Sequence, residues 1–263
     1  MSGQQQLLDA LPVPLLFAVL VAVAYVIHEG GFRLGDWHAR IRPDEKEGPT
    51  GLLVGAILAI MGFLLATTTA MAADRFDARR ALVVDEANAI GKTFLRAGYL
   101  TEPDSAEIRD LLREYTPLRI NVLDPAAYDA NLAASKQQRD EIWARAEAVA
   151  RTTGDQPVVA LFIESLNEAI DIAAAREAAL ANGRVPESVV WFLLLVAALS
   201  AGIVGYNAGL VRRRGVVGAV VLITLLSASL AFVIDLDRPR DGLLRVSQEP
   251  LEVLIDEMGS PGT

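Results

Sequence analysis

The chain has 263 residues, 52% of them hydrophobic, and carries a net charge of −9. It has no cysteine, which excludes disulfides, thiolate metal sites and cysteine nucleophiles, and its acidity argues against a nucleic-acid partner, whose phosphates call for a basic surface. The apolar residues are gathered into four long blocks rather than spread at the spacing of a soluble core, which is the arrangement a lipid bilayer demands. Ala10 to His28 forms the first block and Gly51 to Ala73 the second; Val189 to Val211 and Gly215 to Ile234 follow much later, and none holds an Asp, Glu, Lys or Arg. At about 1.5 Å per helical residue each block is long enough for a hydrocarbon core of roughly 30 Å. The reading is an all-α integral membrane protein with four transmembrane helices. Trp191 opens the third span where an amphipathic ring suits the headgroup region, and Arg212, Arg213 and Arg214 make the turn between the third and fourth.

Orientation is not fixed by charge. The short loops hold Arg33, Arg40, Arg42, Lys46 and the three arginines at 212–214, and the positive-inside rule places them in the cytoplasm. Arg75, Arg79, Arg80, Arg184, Arg238, Arg240 and Arg245 flank the other membrane face, so the count is even. The first block has no basic residue ahead of it and no small-x-small cleavage site, so a retained helix is expected rather than a signal peptide.

Four regions are expected: spans one and two over 10–73, a helical extramembrane domain over 74–187, spans three and four over 188–236, and a tail over 237–263. The inserted domain holds 14 basic and 20 acidic residues, most of the chain's acidity. The second span runs on without a breaker to Arg96 and stops at Gly98. A helix is expected from Asp104 to Tyr115, ending before Pro117, with Leu118 to Leu123 a short extended piece. Asp124-Pro125 opens a helix reaching Thr153, and Asp155 and Pro157 open another that ends at Asn182-Gly183. In the tail, Leu243, Leu244, Val246, Leu251 and Leu254 suffice to dock on the domain or lie on the membrane.

Three charged clusters are candidate sites. On the helix leaving the membrane, Asp74, Asp77, Asp85 and Asn88 fall near one stripe, and Arg75, Arg79 and Glu86 on a neighbouring one; Asp77 and Arg80 are at pairing distance in sequence. On the last domain helix Glu164, Asn167, Glu168 and Asp171 share a face, either solvated or turned inward so that Glu164 or Glu168 pairs with Arg79. The fourth span ends in Asp235, Asp237 and Arg238; Asp235 lies close to hydrocarbon, where an ionised group calls for a partner, and a salt bridge with a juxtamembrane arginine is expected.

Met71 to Arg80 with Val84 to Ile90, Leu166 to Asp171 with Arg176, and Asp235 to Pro239 with Arg245 to Gln248 resemble, in that order, the bacterial family with a bestrophin-like domain. The resemblance covers about residues 50 to 255. It implies a relation to bestrophins, which are oligomeric ion channels, typically pentameric, in which the second transmembrane helix lines a central pore and continues into a helical extramembrane part. It also implies a multi-pass protein of the bacterial inner (plasma) membrane, with the inserted domain in the cytoplasm. The aromatic neck and acidic calcium clasp of animal bestrophins have no counterpart here, so anion selectivity and calcium gating do not carry over.

Two functions follow. In a homo-oligomeric channel for inorganic ions, Ile60, Phe63, Thr67, Met71 and Asp74 fall on one face of the second helix, the apolar members forming a constriction and Asp74 a cation-favouring ring. In a membrane-anchored sensor or scaffold, the helical domain binds a partner protein and the spans are an anchor; Gly202 and Gly205 permit close helix approach in both. An enzyme is not expected, since His28 and His38 lie in or beside a loop without carboxylates at ligand spacing, and neither a nucleophile with its base nor a phosphate loop is present. No cofactor and no metal are expected.

Overall fold

The computed structural model describes residues 11–42, 50–120, 128–154, 156–238 and 242–259. All regular structure among them is helical: α1 Val13–Ile41, α2 Thr50–Ala97, α3 Asp104–Ile120, α4 Tyr128–Thr153, α5 Pro157–Asn182, α6 Glu187–Leu210, α7 Val216–Asp237 and α8 Glu249–Met258. Four of the helices are long and apolar enough to cross a membrane: α1, the first part of α2, α6 and α7. The chain divides into a membrane unit, residues 1–76 with 184–244, and a helical unit, residues 77–183 with 245–263.

In the membrane unit α1 is longer than the sequence suggested. It starts on Pro12-Val13-Pro14, whose fixed φ suits a first turn, and runs through Gly30 and Gly31 to Ile41, ahead of Pro43. His28 and His38 therefore sit on a helix and not in a loop, and so do Arg33 and Arg40. The glycines do not break α1 because they face α6. A Cβ on Gly31 would run into Gly202 O, on Gly35 into Tyr206 O, on Gly205 into His28 O and on Gly209 into Phe32 O. Helices have no hydrophobic reason to associate in lipid, so this backbone-to-backbone approach through small residues supplies the van der Waals contact. Met61 and Ala72 of α2 pack into the same unit beside Leu16, Val190, Leu193 and Leu230. The turn into α7 uses two left-handed residues, Arg212 (φ 56°) and Gly215 (φ 48°), which brings the chain round in five residues, 211–215.

The helical unit has an aliphatic core built by heptad-spaced faces. Val83, Ile90 and Ala97 of α2 meet Ile108, Leu112 and Tyr115 of α3, Ile142 and Val149 of α4, and Phe162, Leu166 and Ala169 of α5. α8 closes that core with Leu251, Leu254 and Met258, and Val246 packs against it, so residues 245–259 belong to the domain. Two expectations fail around Pro117. The helix does not stop before it but continues to Ile120, and Leu118 to Ile120 are helical rather than extended; Asn121 to Leu123, with Asp124-Pro125, lie outside the described residues. A mid-helix proline removes one backbone donor and costs about 3 kcal/mol in an isolated helix. Here the extra turn delivers Arg119 to a buried carboxylate, a tertiary reward that local preference does not register.

Candidate functional site

The membrane part of α2 has two dissimilar faces. Met61, Thr68 and Ala72 are buried and Leu64 and Leu65 half-buried against the other spans. Ile60, Phe63, Thr67, Met71 and Asp74, spaced 3, 4, 4 and 3 apart, are all exposed, Phe63 by 67% of its surface. The Thr67 hydroxyl donates to the Phe63 and Leu64 carbonyls (3.1 and 3.0 Å), which satisfies its proton and leaves oxygen lone pairs outward. Beside this stripe lies an exposed edge of small residues, Gly55, Ala59, Gly62, Ala66 and Ala70.

Asp74 ends the stripe without an ion pair or hydrogen bond to any described residue, whereas Arg75, Arg184, Asp235, Asp237 and Arg238 at the same end of the unit are each tied down. Arg75 donates to the Arg184 carbonyl. Asp237 accepts the Val185 amide at 2.7 Å and faces Arg184 at 3.7 Å, and Arg238 donates to Leu11 O at 2.8 Å. Asp235 is held by backbone. Its carboxylate accepts the backbone amides of Leu243 and Leu244 (3.0 and 3.2 Å), and no arginine among the described residues pairs with it; Arg240 lies outside them. Gly242, with φ 143° and no side chain, makes the close pass over that carboxylate. Backbone amides donate charge-assisted hydrogen bonds to the carboxylate, and they need no long side chain to be ordered.

A second constellation lies inside the helical unit. Glu86 of α2 is wholly buried between two arginines: Arg119 Nε donates to Oε1 and Arg176 Nη1 to Oε2, both at 2.5 Å. Arg119 also donates to Glu177 at 2.8 Å, to Ser135 at 3.2 Å and to the Ala173 carbonyl at 3.4 Å. Arg176 reaches Gln248, just ahead of α8, at 2.5 Å. Arg139 approaches Glu177 at 3.9 Å from α4. Burial opposes the charge on Arg119, but Tyr115, Glu86 and Glu177 outweigh it and hold its pKa above the ordinary arginine value. Burial also pushes the Tyr115 hydroxyl up to about 12. The network ties α3, α4, α5 and the residue ahead of α8 to one carboxylate on the continuation of α2.

The remaining expected site residues separate cleanly. Asp77, Arg80 and Asp85 are exposed, and the Asp77–Arg80 pair does not form. Arg79 is buried and donates to Gly183 O at 3.1 Å. Glu164, Asn167, Glu168 and Asp171 form a solvated face; Glu168 pairs with Lys92 at 2.7 Å and Glu164 with Arg96 at 3.8 Å, and neither reaches Arg79. Inward placement of those carboxylates would displace Ser165, Leu166 and Ala169, which fill the core from the same helix. Arg119, Glu177 and Ser135 were not anticipated, nor was the role of Arg176. A signal existed: Glu86, Arg119 and Arg176 each occupy an apolar heptad slot, as in Phe162, Leu166, Ala169, Ala173, Arg176 and Leu180.

A family model of the bestrophin-like domain matches residues 15–251. The chain belongs to that family. Solved structures agree in fold. A single-site variant of a bacterial bestrophin homolog from Klebsiella pneumoniae, 12% identical, superposes with a TM-score of 0.67 over 89% of this bestrophin-like chain and 94% of its own. The crystal structure of a bacterial bestrophin homolog from the same organism solved by zinc anomalous phasing, 15% identical, gives 0.63 over 94% and 95%. Among curated proteins none matches.

Proposed function

We propose that this protein is a homo-oligomeric ion channel of the bacterial inner membrane, conducting along a central pore lined by α2. The observation that carries the reading is the exposed stripe from Ile60 to Asp74, ending in a carboxylate that no described residue neutralises. Around a symmetry axis, pentameric by likeness to bestrophins, the stripe spans about 21 Å of pore at 1.5 Å per residue. Ile60, Phe63 and Met71 form rings narrow and apolar enough to gate by dewetting, and Asp74 forms an acidic ring that concentrates cations. The adjoining edge of Gly55, Ala59, Gly62, Ala66 and Ala70 lets the α2 helices of neighbouring copies approach closely.

The test is current across a planar bilayer holding the purified oligomer under a salt gradient, with Asp74→Asn alongside. The expected result is discrete openings with a cation-directed reversal potential in the wild type, weakened in the variant. Selectivity and conductance both unchanged in Asp74→Asn would remove Asp74 from the pore. Silence from a demonstrably folded oligomer across pH and calcium would favour a membrane-anchored scaffold.

A further inference from the structure

The opposite end of the membrane unit carries the reverse of the Asp74 face. Along the α1–α6 contact, His28 meets Gly205 and Phe32 meets Gly209, so the two helices run parallel. α6 ends at Leu210, opposite Gly35, and α1 continues past it to Ile41. The 211–215 turn folds back onto this overhang: Arg212 pairs with Asp36 at 3.2 Å, and Arg214 pairs with Glu29 at 3.1 Å while its guanidinium sits 4.5 Å from the Phe32 ring centroid. The same two carboxylates are also held from within α1, Glu29 by Arg33 at 3.0 Å and Asp36 by Arg40 at 2.6 Å. Each acid thus serves two arginines, and one positive charge of each group is left over. Arg213 adds another, exposed and without a side-chain partner among the described residues. Counting Asp44, Glu45, Lys46 and Glu47 of the connecting stretch as well, residues 29–49 and 212–214 hold seven basic and five acidic groups in a chain that is otherwise acidic.

The overhang also bears an apolar stripe. Leu34, Trp37 and Ile41, at i, i+3 and i+7, are 55 to 59% exposed. A stripe with tryptophan at its centre, flanked by arginines on the last turns of a spanning helix, fits the acyl–headgroup boundary. We infer that this end of α1 with the 211–215 turn binds the headgroup of an anionic phospholipid, with Arg33, Arg40 and Arg213 donating to its phosphate and Leu34, Trp37 and Ile41 lying against its chains. Charge complementarity selects the anionic headgroup: a zwitterionic lipid offers the same chains, but its ammonium opposes the surplus arginines. The bilayer itself brings the occupant to this depth. The inference does not depend on ion conduction.

The experiment is native mass spectrometry of the full chain released from nanodiscs of phosphatidylcholine and phosphatidylglycerol in equal parts, counting the lipids retained. Phosphatidylglycerol is expected to be enriched in the wild type. Its enrichment should fall by about fivefold for each arginine removed across Arg213→Gln, Arg33→Gln and Arg40→Gln, and Trp37→Ala should lower total lipid retention. Arg213→Gln touches no partner and reads the site even where the multiple variant folds poorly. Equal retention of the two lipids by the wild type, or undiminished enrichment in the arginine variants, would overturn the proposal. Displacement of the lipid by millimolar glycerol phosphate would also overturn it, since that outcome makes a soluble phosphate the ligand.

Discussion

The membrane unit and the helical unit hold their helices together by opposite means. In the membrane unit the closest helix pair meets through Gly31, Gly35, Gly205 and Gly209, and its charges are kept to the two ends. In the helical unit the core is aliphatic, yet a carboxylate and two guanidiniums sit at its centre, Glu86 and Arg119 fully buried. The solvent explains the contrast. Lipid gives apolar helices no reason to desolvate against each other, so contact depends on how near two backbones come. Water drives the aliphatic faces together without demanding one register, and a buried charge that must meet its partner supplies that demand. The lesson concerns α2, which belongs to both regimes: its membrane part presents an unpartnered face, and its continuation is gripped at Glu86.

The contrast can be broken most severely at Glu86. Glu86→Ala strips Arg176 of its carboxylate and leaves Arg119 only Glu177, a loss of about 3–5 kcal/mol, read as a fall in the thermal midpoint of the detergent-solubilised protein. Replacing Glu86, Arg119 and Arg176 together by leucine sharpens the point: stability within about 1 kcal/mol of wild type or better would assign the network to register and not to stability.

In the membrane unit Gly205→Leu drives a side chain into the His28 carbonyl and should cost about 1–3 kcal/mol, with Ala at that position already measurable in the same melting assay. A comparable loss is expected with pH. The folded state holds Tyr115 protonated up to about 12, above its ordinary 10, so the unfolded chain gives up this proton first. The stabilisation is therefore complete below pH about 10 and is lost as pH rises toward 12, on the order of 2 kcal/mol, and Tyr115→Phe should remove that part of the pH slope. The smallest effect is expected at the exposed pair. Lys92→Ala breaks its 2.7 Å contact with Glu168 in high dielectric and should shift stability by less than about 1 kcal/mol.

The sequence by itself determined the four spans, the unbroken passage of α2 out of the membrane, and the helical nature of the insert, because hydropathy runs and helix punctuation are local properties. It also placed Asp74, Asp77, Asp85 and Asn88 on one stripe and Arg75, Arg79 and Glu86 on another. In the structure the first set is exposed, and in the second Arg79 and Glu86 are buried. The family resemblance was legible in three motifs, and the match over residues 15–251 bears it out. What only tertiary structure decided was partnership. The helix through Pro117, the extension of α1 through Gly30 and Gly31, the amides around Asp235 and the meeting of Glu86 with Arg119 and Arg176 all join positions distant in sequence or override a local preference. A proline or a glycine pair lowers helix stability by a fixed local amount, whereas the contact that repays it comes from another helix, whose approach no single segment encodes.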